Sequence, residues 1–156
     1  DAICIETMMA VDEAVLAIKA AAENTACEVI CTFTFELTQN GDYRTMMGTR
    51  PAEAVKAAVE AGAHIVGTNC GNGIERMIDI VREIRAVVPE TPILVHANAG
   101  LPHHVNGVDV FPETPEMMAA QVGKLLAAGA DIVGGCCGTT PAHISALRNA
   151  VAHASA

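Results

Sequence analysis

Five times along this chain a short apolar run gives way to a turn and then to a segment with helical periodicity, and this alternation constrains the fold more than any other feature. The apolar runs are Ala2 to Met8, Cys27 to Phe35, His64 to Cys70, Pro92 to Ala99 and Asp131 to Cys136. All have strand length, and Cys27 to Phe35 alternates cleanly, with Cys27, Val29, Cys31, Phe33 and Phe35 on one face and Glu28, Ile30, Thr32 and Thr34 on the other. The segments between them read as helices: Asp12 to Glu23, Pro51 to about Ala61, Ile74 to Val88, Pro115 to Leu126 and Pro141 to about Ala152. Strands separated by whole helices cannot pair as tight hairpins, so they are expected to lie parallel with right-handed crossovers. The class is α/β, read as a single domain over residues 1–156.

Local signals agree with these boundaries. Asp12 and Glu13 place negative charge in a first helical turn, Gly62 and Gly129 stand where left-handed C-terminal residues belong, and Thr114-Pro115 and Thr140-Pro141 are N-cap and N1 pairs. Ile74, Met77, Ile78, Val81, Ile84 and Val88 recur at helical spacing, opposite Glu75, Arg76, Asp79, Arg82 and Glu83. The stretches Asn40 to Gly48 and Gly100 to Thr114 are expected to be loops. Aromatic residues are only 3% of a chain that is 51% hydrophobic, which suits helices packed on buried strands better than a β-sandwich.

Charge and cysteine usage limit the functions open to the chain. Nine Lys and Arg against 18 Asp and Glu leave a net charge of −9, which repels a phosphate backbone, and no basic cluster offsets it. No apolar run reaches the roughly 18 residues of a spanning helix, so neither nucleic acid nor membrane is expected as a partner. Six cysteines in a chain with a sizeable core do not read as a disulfide scaffold, and a reducing cytoplasm is the expected location. The chain opens Asp1-Ala2-Ile3-Cys4-Ile5, without Met and already inside a strand, as expected of a fragment, a processed chain or an engineered piece.

Ala61-Gly62-Ala63-His64-Ile65-Val66-Gly67 returns as Ala128-Gly129-Ala130-Asp131-Ile132-Val133-Gly134, identical at six of seven places, and the same 67-residue offset sets Cys70 on Cys137. Parallel α/β folds build their sites at the C-terminal ends of strands, where Cys70, Cys136 and Cys137 all fall. Neighbours on a regular strand point to opposite faces, so Cys136 and Cys137 can share an ion only where the strand ends or bends. Gly134, Gly135 and Gly138 permit that bend. Thiolates select zinc over hard cations, and three protein ligands leave a fourth tetrahedral position open, as in catalytic sites. A trithiolate zinc carries a net charge of about −1, so its expected fourth partner is a substrate thiol, whose ordinary pKa of ~8.5 the metal lowers. The resulting thiolate is a nucleophile suited to accepting a methyl group. Cys4, Cys27 and Cys31 lack this context and read as small hydrophobes.

The stretches Gly67-Thr68-Asn69-Cys70, Asn98-Ala99-Gly100 and Gly134-Gly135-Cys136-Cys137-Gly138-Thr139-Thr140-Pro141 resemble those of the homocysteine S-methyltransferase family, in particular the homocysteine-binding barrel of cobalamin-dependent methionine synthases. The resemblance implies a zinc-dependent (β/α)8 TIM barrel, of which this chain is the last five βα units. It implies Cys70, Cys136 and Cys137 as the Zn2+ ligands and Glu6 as the acid holding the amino group of homocysteine, with methionine as product. Asn98 at the barrel mouth then orients substrate, approaches the metal or caps a loop. The methyl donor implied is methylcobalamin on a corrinoid protein or domain, a betaine or a sulfonium.

Two departures accompany the resemblance. The first three βα units, on the order of 100 residues of a ~250-residue barrel, are missing. Ala97 stands where the family commonly has Pro, preceded by His96, which is expected to be an interior strand histidine paired with a neighbour. His103 and His104 are expected on the surface. Two other functions stay open: a self-contained flavodoxin-like corrinoid or small-molecule binding domain, and an inactive zinc-binding fragment needing a partner. The first lacks both an Asp-x-His-x-x-Gly stretch and a Gly-x-Gly-x-x-Gly loop. The second follows from five strands being too few to close an eight-stranded barrel, so that exposed edges call for a partner, an oligomer or a rearrangement.

Overall fold

The computed structural model describes residues 1–154. Its strands are β1 (Ala2–Met8), β2 (Glu28–Phe33), β3 (Glu36–Leu37), β4 (Tyr43–Arg44), β5 (Ile65–Gly73), β6 (Ile93–Asn98), β7 (His103–Val105), β8 (Val108–Val110) and β9 (Ile132–Gly135). Its helices are α1 (Val11–Asn24), α2 (Pro51–Ala61), α3 (Ile74–Arg85), α4 (Pro115–Ala119), α5 (Val122–Ala128) and α6 (Pro141–Ala154). The five expected strands form one sheet in the order β1-β2-β5-β6-β9, every neighbouring pair parallel.

That order follows the chain without a reversal. A flavodoxin-like sheet needs its first two strands exchanged, and a ligand crevice opens where the winding reverses. The alternative of a self-contained flavodoxin-like domain is therefore overturned by strand order. Sequential winding puts the helices on one face of the sheet, and burial shows which. Val29, Cys31, Phe33, Val66, Ile93, Val95 and Ala97 are fully buried with the apolar sides of α1, α2 and α3. On the other face Ala2, Cys4 and Glu6 are exposed and Ile132 is 37% exposed. Cys4 is accordingly not the buried small hydrophobe expected of it, because it alternates onto this uncovered face, whereas Cys31 is buried as expected.

Expected loops hold two hairpins. β3 pairs with β4, and β7 with β8, both antiparallel. The second turns on Asn106-Gly107, with φ of 51° and 84°, the two positive values that a type I′ turn requires. The helix expected from Pro115 onward is broken: Gln121 N–H bonds Met118 O three residues back, a tighter turn that separates α4 from α5. β2 is shorter than expected, ending at Phe33, and α3 ends at Arg85, with Val88 beyond it still buried.

The caps behave as their residues dictate. Gly62 and Gly129 adopt φ of 111° and 113° after α2 and α5, and the Thr114 hydroxyl accepts Met117 N–H at the start of α4. At the N-terminal end of the sheet, Arg85 donates to the carbonyls of Val88, Pro89, Thr91 and Gly129 and to the Asp131 carboxylate. Asp131 in turn accepts Ile93 N–H, which fixes the starts of β6 and β9 together. The opposite, C-terminal end is thereby left to the loops that carry the cysteines.

Candidate metal centre

Cys70 lies in β5 with φ of 59° and is followed by Gly71 at 73°. This left-handed pair bulges the strand, and the β5–β6 ladder is interrupted between Asn69 and Gly73. Cys136 comes one residue after β9 ends, so the strand expected to include it stops at Gly135 instead. The segment is held by the end of β6: Cys136 N–H bonds Ala97 O at 2.7 Å, Cys137 N–H bonds Asn98 Oδ1 at 3.1 Å, and Ala99 N–H bonds Cys137 O at 2.9 Å. Thr139 closes the turn, its hydroxyl donating to Cys136 O at 2.7 Å. These bonds release Cys136 and Cys137 from strand alternation, as a shared ion requires.

Two glycines make room for the turn. A Cβ on Gly134 would stand 2.6 Å from the His96 ring, and one on Gly138, whose φ is 77°, would stand 2.2 Å from Phe111 Cγ. The Cys70 and Cys137 Sγ atoms are 3.6 Å apart, those of Cys136 and Cys137 4.0 Å apart, and all three lie within 4.8 Å of one another. Tetrahedral zinc with Zn–S bonds of ~2.3 Å sets its sulfurs ~3.8 Å apart, so the three thiols already stand close to three corners of that polyhedron.

Without a metal the thiols hold one another protonated. Burial first, and then Cys70, holds the Cys136 thiol above its ordinary range. The Cys137 thiol is pushed up to about 12, first by its hydrogen bond with Cys70 and then by burial. Crowded thiols resist ionising together, and a divalent ion reverses the balance by neutralising the charge they would share.

The other expected residues are placed as follows. Asn98 is 4% exposed, and its carbonyl oxygen holds the Cys137 backbone. Glu6 is exposed on the uncovered face and makes no hydrogen bond or salt bridge among the described residues; its charge acts on His96, whose pKa burial lowers and Glu6 partly restores. His96 is half-buried over Gly134 and outside the cysteine cluster. His103 and His104 are exposed on the β7–β8 hairpin, where His104 meets Asp109 at 3.0 Å.

Three supporting residues were not legible as such. Asn69, 1% exposed, joins Thr7 and Thr32 to the vicinity of Cys136. His143 accepts Thr140 N–H on Nδ1, which leaves Nε2 protonated to donate to Glu113 O at 2.9 Å and pins the first turn of α6. The Glu113 carboxylate lies beside Gly73 at the start of α3, its pKa raised by burial and then by Glu75. Asn69 had a signal, a polar residue deep inside an apolar run, and Thr140-x-x-His143 has capping-box spacing with His where Glu or Gln is usual.

Comparison with known proteins places this geometry in context. A family model described as homocysteine S-methyltransferase matches residues 1–151. Methionine synthase of Mycobacterium tuberculosis (strain ATCC 25618 / H37Rv) is 35% identical over 109 residues, which are 69% of this chain and 9% of that protein. Methionine synthase of Mycobacterium leprae (strain TN) is 33% identical over 108 residues, again 9% of its length, so the chain matches under a tenth of these relatives. Among solved structures, the apo form of the homocysteine methyltransferase MmuM from Escherichia coli superposes with a TM-score of 0.74 at 22% identity, covering 96% of this chain and 50% of that one. At that identity the likeness is one of fold, of the TIM-barrel type.

Proposed function

Since the chain belongs to the homocysteine S-methyltransferase family, we propose that it is the zinc-binding, thiol-activating part of such an enzyme, with homocysteine as acceptor and methionine as product. The observation that carries this is the convergence of the Cys70, Cys136 and Cys137 sulfurs at the C-terminal end of the sheet. Zinc held there supplies the Lewis acidity that keeps a substrate thiol ionised at neutral pH.

The chain's own residues do the remaining work. Cys70, Cys136 and Cys137 are the donors, and Asn98 fixes the Cys137 backbone so that its sulfur stays turned toward Cys70. Glu6, with no partner of its own among the described residues, offers a carboxylate for the substrate ammonium from the uncovered face. In the proposed transfer the homocysteine sulfur lone pair forms the new S–C bond while the donor–methyl bond breaks and its electrons leave with the donor. We take the donor to be methylcobalamin carried by a corrinoid domain or protein, and the six free cysteines suit a reducing cytoplasm.

The outer edges of β1 and β9, unpaired among the described residues, and the uncovered face between them favour a second reading. In it the chain is the last five units of a barrel, binds zinc alone, and transfers methyl groups only when further βα units close over that face.

Metal binding tests the site. Each ligand thiol must lose its proton to coordinate, so zinc competes with protons, and raising the pH removes the competitor. The expected result is one zinc per chain, protons released on binding, and apparent affinity rising steeply from about pH 6 to about pH 8. Calorimetry in buffers of different ionisation enthalpy reads the proton count. An affinity flat across that range would contradict thiolate ligation.

A further inference from the structure

Asn69 immediately precedes the ligand Cys70, and its side chain reaches toward another ligand, Cys136. Its Oδ1 accepts Thr7 N–H at 2.8 Å and the Thr32 hydroxyl at 2.6 Å. A backbone N–H can only donate, so the oxygen must face it, and the amide orientation is fixed. Nδ2 then lies 2.7 Å from Thr7 Oγ1 and 4.0 Å from Cys136 Sγ, one amide proton available to each.

Thr7 has φ of 61°, a left-handed conformation that a β-branched residue seldom adopts, and the β1–β2 register shifts between Ile5 and Met8. Asn69 takes both the N–H and the hydroxyl of this strained residue, which directly follows Glu6. We infer that Asn69 is a positioning residue for the methyl-transfer site: it locks the Glu6-Thr7 turn to the Cys136 sulfur, so that the carboxylate offered to the substrate and one metal donor are held as a unit. Its second amide proton donates to the Cys136 thiolate and disperses that sulfur's charge. This inference rests on the zinc site proposed above.

The test uses the chain loaded with spin-active cadmium in place of zinc. The expected result is that one Asn69 side-chain amide proton moves downfield and shows scalar coupling to the metal, as an N–H···S–Cd bridge requires. Cadmium bound with neither change at Asn69 overturns the inference while leaving the metal site intact; failure to bind cadmium overturns the site itself. The variant Asn69→Asp keeps acceptors for Thr7 N–H and Thr32, exchanges the donation to Thr7 Oγ1 for acceptance of the Thr7 hydroxyl proton, and removes the donor to sulfur. It is expected to stay folded and to bind cobalt about 10–100-fold more weakly, with the sulfur-to-cobalt charge-transfer band at longer wavelength. Parent-like affinity and band position in that variant would also overturn it.

Discussion

Replacing Cys136 and Cys137 together by serine is expected to abolish the proposed stoichiometric zinc binding by this chain while leaving its fold in place. Structural zinc sites bind with apparent free energies of about 10–16 kcal/mol, so each of four donors accounts for roughly 3 kcal/mol. Losing two thiolates then weakens binding by about 10⁴-fold. The fold survives because the segment is held through its backbone: Cys136 N–H on Ala97 O, Cys137 N–H on Asn98 Oδ1 and Ala99 N–H on Cys137 O do not involve sulfur. Neither side chain belongs to the buried core, Cys137 being exposed and Cys136 half-buried. Metal analysis after dialysis against a weak chelator, with circular dichroism as the control for folding, reads both outcomes. Zinc retained by the folded double variant would mean that the ion sits elsewhere.

The second large effect is on stability. Gly67 pairs with Leu94 in the middle of the sheet, and a Cβ added to it would lie 1.8 Å from Leu94 O, 2.8 Å from its carbonyl carbon and 3.0 Å from its nitrogen. All three atoms are backbone, so no rotamer change relieves the clash, and β5 must part from β6. Gly67→Ala is therefore expected to cost more than about 4 kcal/mol, a large share of the roughly 5–15 kcal/mol by which domains are stable. Urea unfolding, or soluble yield where the variant does not fold, measures it. β5 carries Asn69 and Cys70, and β6 carries Asn98, so zinc affinity is expected to fall with stability. An unfolding midpoint within a few degrees or tenths molar of the parent would contradict the β5–β6 register.

How much of this was legible depends on whether a feature is local. The five strands, the caps at Gly62, Gly129 and Thr114, and the amphipathic face of α3 arise from residues close in sequence, and they stand within a few residues of where the sequence placed them. The three thiols were legible because the 67-residue echo aligned strand ends that the sheet brings together. Contacts between distant residues were not. Asn69 meets Thr7 across 62 positions, and His143 meets Glu113 across 30, with no periodicity to announce either. The β7–β8 hairpin is a different kind of miss, since Asn106-Gly107 is a local signal that was read only as loop. Cys4 shows the limit of composition: strand alternation fixes that it faces away from Ile3 and Ile5, while whether that face is covered depends on what else packs there.

The central claim is that three cysteine sulfurs hold zinc and leave one position for the sulfur of the substrate. X-ray absorption at the zinc edge, recorded on the zinc-loaded chain before and after addition of homocysteine, tests it most directly. The expected first spectrum has three sulfurs at ~2.3 Å and one lighter neighbour, and homocysteine replaces the lighter neighbour with a fourth sulfur. Fewer than three sulfurs in the first spectrum, or a sulfur count that homocysteine leaves unchanged, would contradict the account.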